Sequence, residues 1–273
     1  MGAHHVTTDD GVTIGGTVRG QGPPLVLLQG ILGDGDLDWG ALLPHLTDRF
    51  TCHLPSWRGR GLSGDHPDRS FDRLVADILA YVDSVPAPAG LAGWSAGANL
   101  ALTAAATQPD PIGAVTVVGP SMPWLMDDDD RAELGAAVAR MAELAAVGRL
   151  TAAIRTFAEV PFTDEDVAAA EDAGYFEAAG SYVPNLLAVQ QQAMAYEGPT
   201  PDEPTVLGTI RAPVLVLHGS DAKPHDRAAA RHLADHLPDV GVQQLPGAGH
   251  AAPLTQPEAL AGALTRLFSS FDR

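Results

Sequence analysis

Leu91-Ala92-Gly93-Trp94-Ser95-Ala96-Gly97-Ala98-Asn99-Leu100 is the stretch that decides the fold of this chain. Residues 87–94 form a short apolar run after a Pro/Ala loop, which predicts a strand. Residues 96–107 are rich in Ala and Leu and hold no proline, which predicts a helix. A serine at such a corner stands on a tight turn beside a helix N-terminus. The free N–H groups there can hold developing negative charge. Gly93 and Gly97 suit the corner because side chains at those positions would collide with the neighbouring strand and helix. The Gly-x-Ser-x-Gly pattern is weak alone, so the strand before it and the helix after it carry the reading.

Upstream, residues 6–8 and 12–18 read as strands about the turn Asp9-Asp10-Gly11. Leu25-Val26-Leu27-Leu28 is a continuous apolar strand, the pattern of a strand covered on both faces. Gln29-Gly30-Ile31-Leu32-Gly33-Asp34 leaves its C-terminal end. The N–H of Ile31 is therefore the expected second oxyanion donor, beside that of Ala96. Asp34, Asp36 and Asp38 do not fit a calcium loop, because Trp39 and His45 stand where such a loop needs Gly and Glu. They are expected to cap a helix over 39–46. A strand over 50–54 leads into Pro55-Ser56-Trp57-Arg58-Gly59-Arg60-Gly61-Leu62-Ser63-Gly64, expected to be a sharply folded structural loop. Residues 71–82 have helical spacing.

Downstream, residues 114–118 form another apolar strand, and then strand pattern stops. Residues 122–204 show only helix and loop pattern, and strand pattern resumes at Val214-Leu215-Val216-Leu217. The expected organisation is a core of residues 1–121 and 205–273 with a helical cap, or lid, of residues 122–204 over the sheet's C-terminal edge. Open α/β sheets bind ligands at that edge.

Ser95, Asp221 and His250 each follow a predicted strand, so a parallel sheet brings them to one edge. Each supplies what nucleophilic catalysis needs. A serine hydroxyl needs a base to take its proton. An imidazole titrates near neutrality and can return that proton. A carboxylate fixes the imidazole tautomer. His250 is chosen for its Gly-rich loop and its place in the chain order. Asp226 competes with Asp221 but lies further along, at a helix start.

The net charge of −18 argues against nucleic acid and anionic membranes as partners. No apolar run is long enough to span a membrane. The N-terminus shows no basic and apolar leader pattern, so no secretory signal is expected. A single Cys52 suits a reducing compartment and is expected to be a buried thiol. A cytoplasmic monomer or homodimer acting on a small molecule is expected, with no cofactor and no metal.

On Gly93-Trp-Ser-Ala-Gly97, Gln29-Gly-Ile31, Trp57-Arg-Gly-Arg-Gly-Leu-Ser63, His218-Gly-Ser-Asp221 and Gly249-His250, the chain resembles the α/β-hydrolase family over nearly its whole length. The resemblance implies an α/β fold with an eight-stranded, mostly parallel sheet flanked by helices. It also implies a helical cap after the sixth strand and metal-free hydrolysis through an acyl-enzyme. The family usually has His where Gln29 stands and often Asp where Trp57 stands. Ser95 argues against the epoxide hydrolases and haloalkane dehalogenases of this fold, which use Asp there. The function expected is a serine esterase cleaving a small to medium, largely apolar ester or lactone. Carbon–carbon hydrolysis, amide hydrolysis and perhydrolysis can reuse the same triad. The alternatives are a ligand-binding signalling protein with slow turnover, or a cofactor-free dioxygenase of the same fold. The dioxygenase arrangement places its acid after the sixth strand, where this chain has Gly119-Pro120-Ser121. Gln29, Leu32, Trp94, Met122, Trp124, Leu125, Phe157 and Phe162 are the expected pocket residues.

Overall fold

Strands β1 (Gly2–Thr7), β2 (Thr13–Gly20), β3 (Pro24–Leu28), β4 (Thr51–Pro55), β5 (Ala89–Trp94), β6 (Ile112–Val118), β7 (Val214–Gly219) and β8 (Val240–Leu245) form one sheet. Their spatial order is β1-β2-β4-β3-β5-β6-β7-β8. The computed structural model describes residues 2–269, without the side chain of Trp124. β1 and β2 pair antiparallel, as do β2 and β4; every other neighbouring pair is parallel. This is the eight-stranded, mostly parallel sheet that the resemblance to the α/β-hydrolase family implies. β1 starts earlier than its apolar residues suggest. Its ladder with β2 runs from Gly2 opposite Val18 to Thr7 opposite Thr13, and backbone bonds supply that pairing whatever the side chains.

β3 shows why its run of four apolar residues is uninterrupted. Leu25 and Leu27 join one core cluster, and Val26 and Leu28 join the other, so alternate side chains serve opposite faces. Cys52, in β4 beside β3, is fully buried, and burial pushes its thiol up to about 12.

The helices are α1 (Gly35–Trp39), α2 (Leu43–Leu46), α3 (Phe71–Asp83), α4 (Ala96–Thr107), α5 (Asp128–Ala146), α6 (Leu150–Ala158), α7 (Asp164–Asp172), α8 (Tyr175–Ala179), α9 (Val183–Met194), α10 (Pro204–Leu207), α11 (Pro224–His236), α12 (Ala252–Thr255) and α13 (Pro257–Phe268). The chain between β6 and β7 is a helical insertion, α5 to α10, with no strand among its described residues. The single helix expected over 39–46 is instead α1, a 3-10 turn at Gly40–Leu42, and α2. Pro44 lacks the N–H that a continuous helix would use. Only Asp34 of the three aspartates caps this region, accepting from the Leu37 N–H at 2.8 Å. Asp36 turns outward to Thr17 and Arg19, and Asp38 turns into the core.

The loop after β4 is folded about Arg58. Its guanidinium donates two bonds to Asp77 of α3, at 2.6 and 2.7 Å, and one to Asp10 in the β1–β2 turn, at 2.9 Å. A fourth goes to the Asp68 carbonyl at 3.0 Å. The side chain is wholly buried, so its charge depends on these partners. Arg58→Met would leave buried Asp77 without its cation. Stability is expected to fall by about 3–5 kcal/mol, read as a lower urea midpoint at an unchanged m-value.

Candidate active site

Ser95 sits between β5 and α4 at φ 55° and ψ −118°, the only non-glycine with positive φ among the described residues. Its N–H continues the sheet to the Val118 carbonyl at 2.9 Å, while its own carbonyl accepts from Ala98 in the first turn of α4. The turn closes because two side chains are missing. A Cβ on Gly93 would lie 2.2 Å from the Gly97 carbonyl oxygen, and one on Gly97 would lie 2.3 Å from that of Gln29.

His250 follows β8 and is held at three points. Its Nδ1 donates to Asp226 Oδ2 at 2.7 Å. Its backbone N–H donates to Asp166 Oδ2 at 2.8 Å, and its carbonyl accepts from Trp94 Nε1 at 2.9 Å. A carboxylate only accepts, so Nδ1 carries the proton and Nε2 is left as the acceptor. Burial alone would lower the imidazole. The Asp226 carboxylate, with Asp166 beyond it, outweighs burial and holds His250 above its ordinary value.

The structure brings Asp226, and not Asp221, to the His250 imidazole. Asp221 lies on the exposed turn after β7, where its Oδ1 accepts from Ser220 Oγ at 2.9 Å and its N–H donates to the Ala248 carbonyl. Asp226, in the first turn of α11, is fully buried and meets the imidazole. The turn after Gly219 carries Asp221 outward before α11 brings the chain back in. An acid in a helix's first turn usually serves the dipole. Complete burial against a histidine is what sets Asp226 apart, and chain order alone did not show it.

The loop after β3 is fixed from several sides. Asp38 Oδ2 accepts the Gly30 N–H at 2.7 Å, and its Oδ1 accepts the Tyr175 hydroxyl of α8 at 2.8 Å. Burial raises Asp38 to about 7, against these two hydrogen bonds, which lower it. Arg60 Nη1 donates to the carbonyls of Ile31 and Gly33, both at 2.8 Å, and Nε donates to Asn185 of α9 at 2.9 Å. Gln29 does not reach the cavity, contrary to expectation. It is fully buried, donating to the Gly33 carbonyl at 2.7 Å and accepting from the Trp57 N–H at 3.0 Å. Its amide is a brace between two loops because it offers both a donor and an acceptor. Ile31 and Ala96 line the same cavity as Ser95, and Ala96 opens α4, where no intrahelical acceptor exists for its N–H.

That cavity has a volume of about 790 Å³ and brings Ser95 and His250 together. Leu32, Trp94, Phe157 and Phe162 line it as expected, with Phe162 stacked on Trp94 at 6.2 Å between centroids. Met122 and Leu125 do not line it. Met122 is buried in the core cluster that also holds Val26 and Leu28, and Leu125 packs against that cluster. Trp124 lies outside the described side chains. The insertion supplies Leu134, Val138, Val160 and Val189 to the wall. Arg69 and Arg131 also line it, and each is paired, with Asp65 at 2.5 Å and Asp128 at 2.8 Å. Among the described residues no group of three or more His, Cys, Asp or Glu is placed to hold a metal ion, and no helix is long and apolar enough to cross a membrane.

Residues 23–257 match the family model described as alpha/beta hydrolase fold. The chain is 26% identical over 257 residues to the pimeloyl-(acyl-carrier protein) methyl ester esterase of Chromobacterium violaceum, covering 90% of this chain and 94% of that protein. It is 26% identical over 264 residues to the 2-(acetamidomethylene)succinate hydrolase of Mesorhizobium japonicum, covering 95% and 92%. A solved alpha/beta hydrolase from Sphaerobacter thermophilus superposes with a TM-score of 0.75 at 30% identity, covering 97% of this chain and 100% of that one. On its sheet, its serine corner and this match, the chain belongs to the alpha/beta hydrolase fold family.

Proposed function

We propose that the protein is a serine hydrolase cleaving a small to medium, largely apolar carboxylic ester, with Ser95 as nucleophile, His250 as base and Asp226 as its partner. The observation that carries this reading is the 2.7 Å bond from His250 Nδ1 to buried Asp226, in a residue that shares an apolar cavity with the strained Ser95. The ester-cleaving relative supports the bond type, and the apolar wall of Leu32, Leu134, Val138, Phe157, Val160 and Phe162 supports a largely apolar substrate.

In this mechanism Ser95 Oγ attacks the ester carbonyl carbon as its proton passes to His250 Nε2. The N–H groups of Ile31 and Ala96 hold the oxyanion, each worth about 3–4 kcal/mol. The tetrahedral intermediate collapses, and the leaving alcohol takes the proton from His250. Water then attacks the acyl-enzyme, giving its proton to His250, which returns it to Ser95 as the acid departs. The insertion acts as a lid that keeps the cavity apolar.

A fluorophosphonate is expected to label wild type and not Ser95→Ala, and turnover of p-nitrophenyl butyrate should fall by roughly 10⁴- to 10⁶-fold in the variant. Labelling that survives the substitution would remove Ser95 from the mechanism. Asp226→Asn should lower kcat by about 10⁴-fold, while Asp221→Asn stays within about twofold of wild type. The reverse ranking would return the acid to Asp221. The sign of the pH dependence follows from His250. Its raised value keeps the imidazole protonated, and unable to accept, to a higher pH than usual. The acid limb of kcat/KM is therefore expected above about pH 6.5, the ordinary histidine value.

A further inference from the structure

The base is tied to the helical insertion by one residue, Asp166. It stands at the third position of α7 and is almost fully buried. Its local task is ordinary. The Asp166 N–H donates to Thr163 Oγ1 and its Oδ2 accepts the Thr163 N–H, both at 3.1 Å, closing a capping box. The same Oδ2 also accepts the His250 N–H at 2.8 Å, from a residue 84 positions away. That bond is the shorter of the two it accepts, and it crosses from the insertion to the loop after β8.

The neighbouring residue is shaped for this approach. A Cβ on Gly249 would lie 2.1 Å from Asp166 Oδ2, so any side chain there would push the carboxylate away. Gly249 has no positive φ to explain it. Its lack of a side chain is explained by the carboxylate it admits.

We propose that Asp166 is a positioning residue for His250: from the insertion, it clamps the backbone of the base and sets a second buried carboxylate beside it. The proposal rests on His250 being the base. With Trp94 on the carbonyl and Asp226 on Nδ1, Asp166 completes a three-point hold on one residue. When the imidazole takes the serine proton, two carboxylates favour the cation that forms. The charged and titratable groups around the imidazole are Asp226 and Asp166, which favour the protonated form, and Lys223, which opposes it. Behind Asp226 stand His225, at 3.5 Å from its Oδ1, and Asp130 of α5, at 3.8 Å from His225. Seating of α7 on the core and readiness of the base thus become one event.

Two substitutions in the 273-residue chain test this. Asp166→Asn keeps the shape and an acceptor for the His250 N–H but removes the charge. Asp166→Ala removes both. The His250 imidazole is followed by NMR pH titration, which does not depend on turnover, and kcat and KM are measured on p-nitrophenyl butyrate across pH. In Asp166→Asn the His250 titration and the acid limb of kcat/KM should both move to lower pH. In Asp166→Ala kcat should fall by roughly 10- to 100-fold with KM within about twofold. A His250 titration in Asp166→Asn that coincides with wild type overturns the proposal, as does a folded Asp166→Ala with unchanged kcat. Should Asp166→Ala fail to fold, the Asp166→Asn titration decides alone. If wild type shows no turnover that depends on Ser95, the esterase reading has failed, and the titration still decides whether Asp166 acts on His250.

Discussion

Ser95 sits at φ 55°, where a residue with a side chain stays only if its neighbours hold it there. Such a conformation costs on the order of 1–3 kcal/mol. The sheet bond from Ser95 to Val118, the first turn of α4, and the bare backbone contacts at Gly93 and Gly97 supply the hold. Much else in the molecule follows from that corner. β5 must be central and buried, with β3 and β6 on either side, so that both ends of the turn are anchored. α4 must come down directly onto the β3 carbonyls, which is why a small residue is needed at 97.

Around this corner the polar side chains are buried and paired rather than free. By sequence Gln29 is expected in the pocket, Asp38 in a helix cap and Arg60 in a structural loop. In the folded chain they all turn inward and brace the loop that carries Ile31. Buried polar groups stabilise a loop through the partners they find, and here they tie the loop to the end of β3, to α8 and to α9. The insertion takes part in the same bracing through Tyr175 on Asp38 and Asn185 on Arg60. The proposed oxyanion donor on this loop draws support from that bracing, because electrostatic catalysis depends on donors that do not need to reorganise.

What the sequence made legible was local and periodic. Leu25 to Leu28, the corner at Ser95 and the helix after it each signal their structure within a dozen residues. The sheet follows from their alternation. His250 was legible from its glycine-rich loop, and the structure does bring it to the cavity of Ser95. Which carboxylate meets His250 was not legible. Asp221 and Asp226 both follow β7 within one turn and helix start, and only burial separates them. Burial is a property of the packed molecule. The same reason explains Gln29 and Asp38, whose partners come from distant segments, and Met122, which packs into the core and not against the cavity. The break in the helix expected over 39–46 was closer to hand, since Pro44 stood in plain view.

Cys52 gives the molecule a built-in gauge of its own breathing. The thiol lies in β4 between β2 and β3, is wholly buried, and is held at about 12 by that burial, so it is neither accessible nor ionised while the sheet is intact. A thiol reagent can reach it only when this part of the sheet opens. Because it is the sole cysteine in the chain, each modified molecule records one such opening. The reaction rate then counts excursions of the core, with no label added and no contribution from the serine corner on the other side of β3.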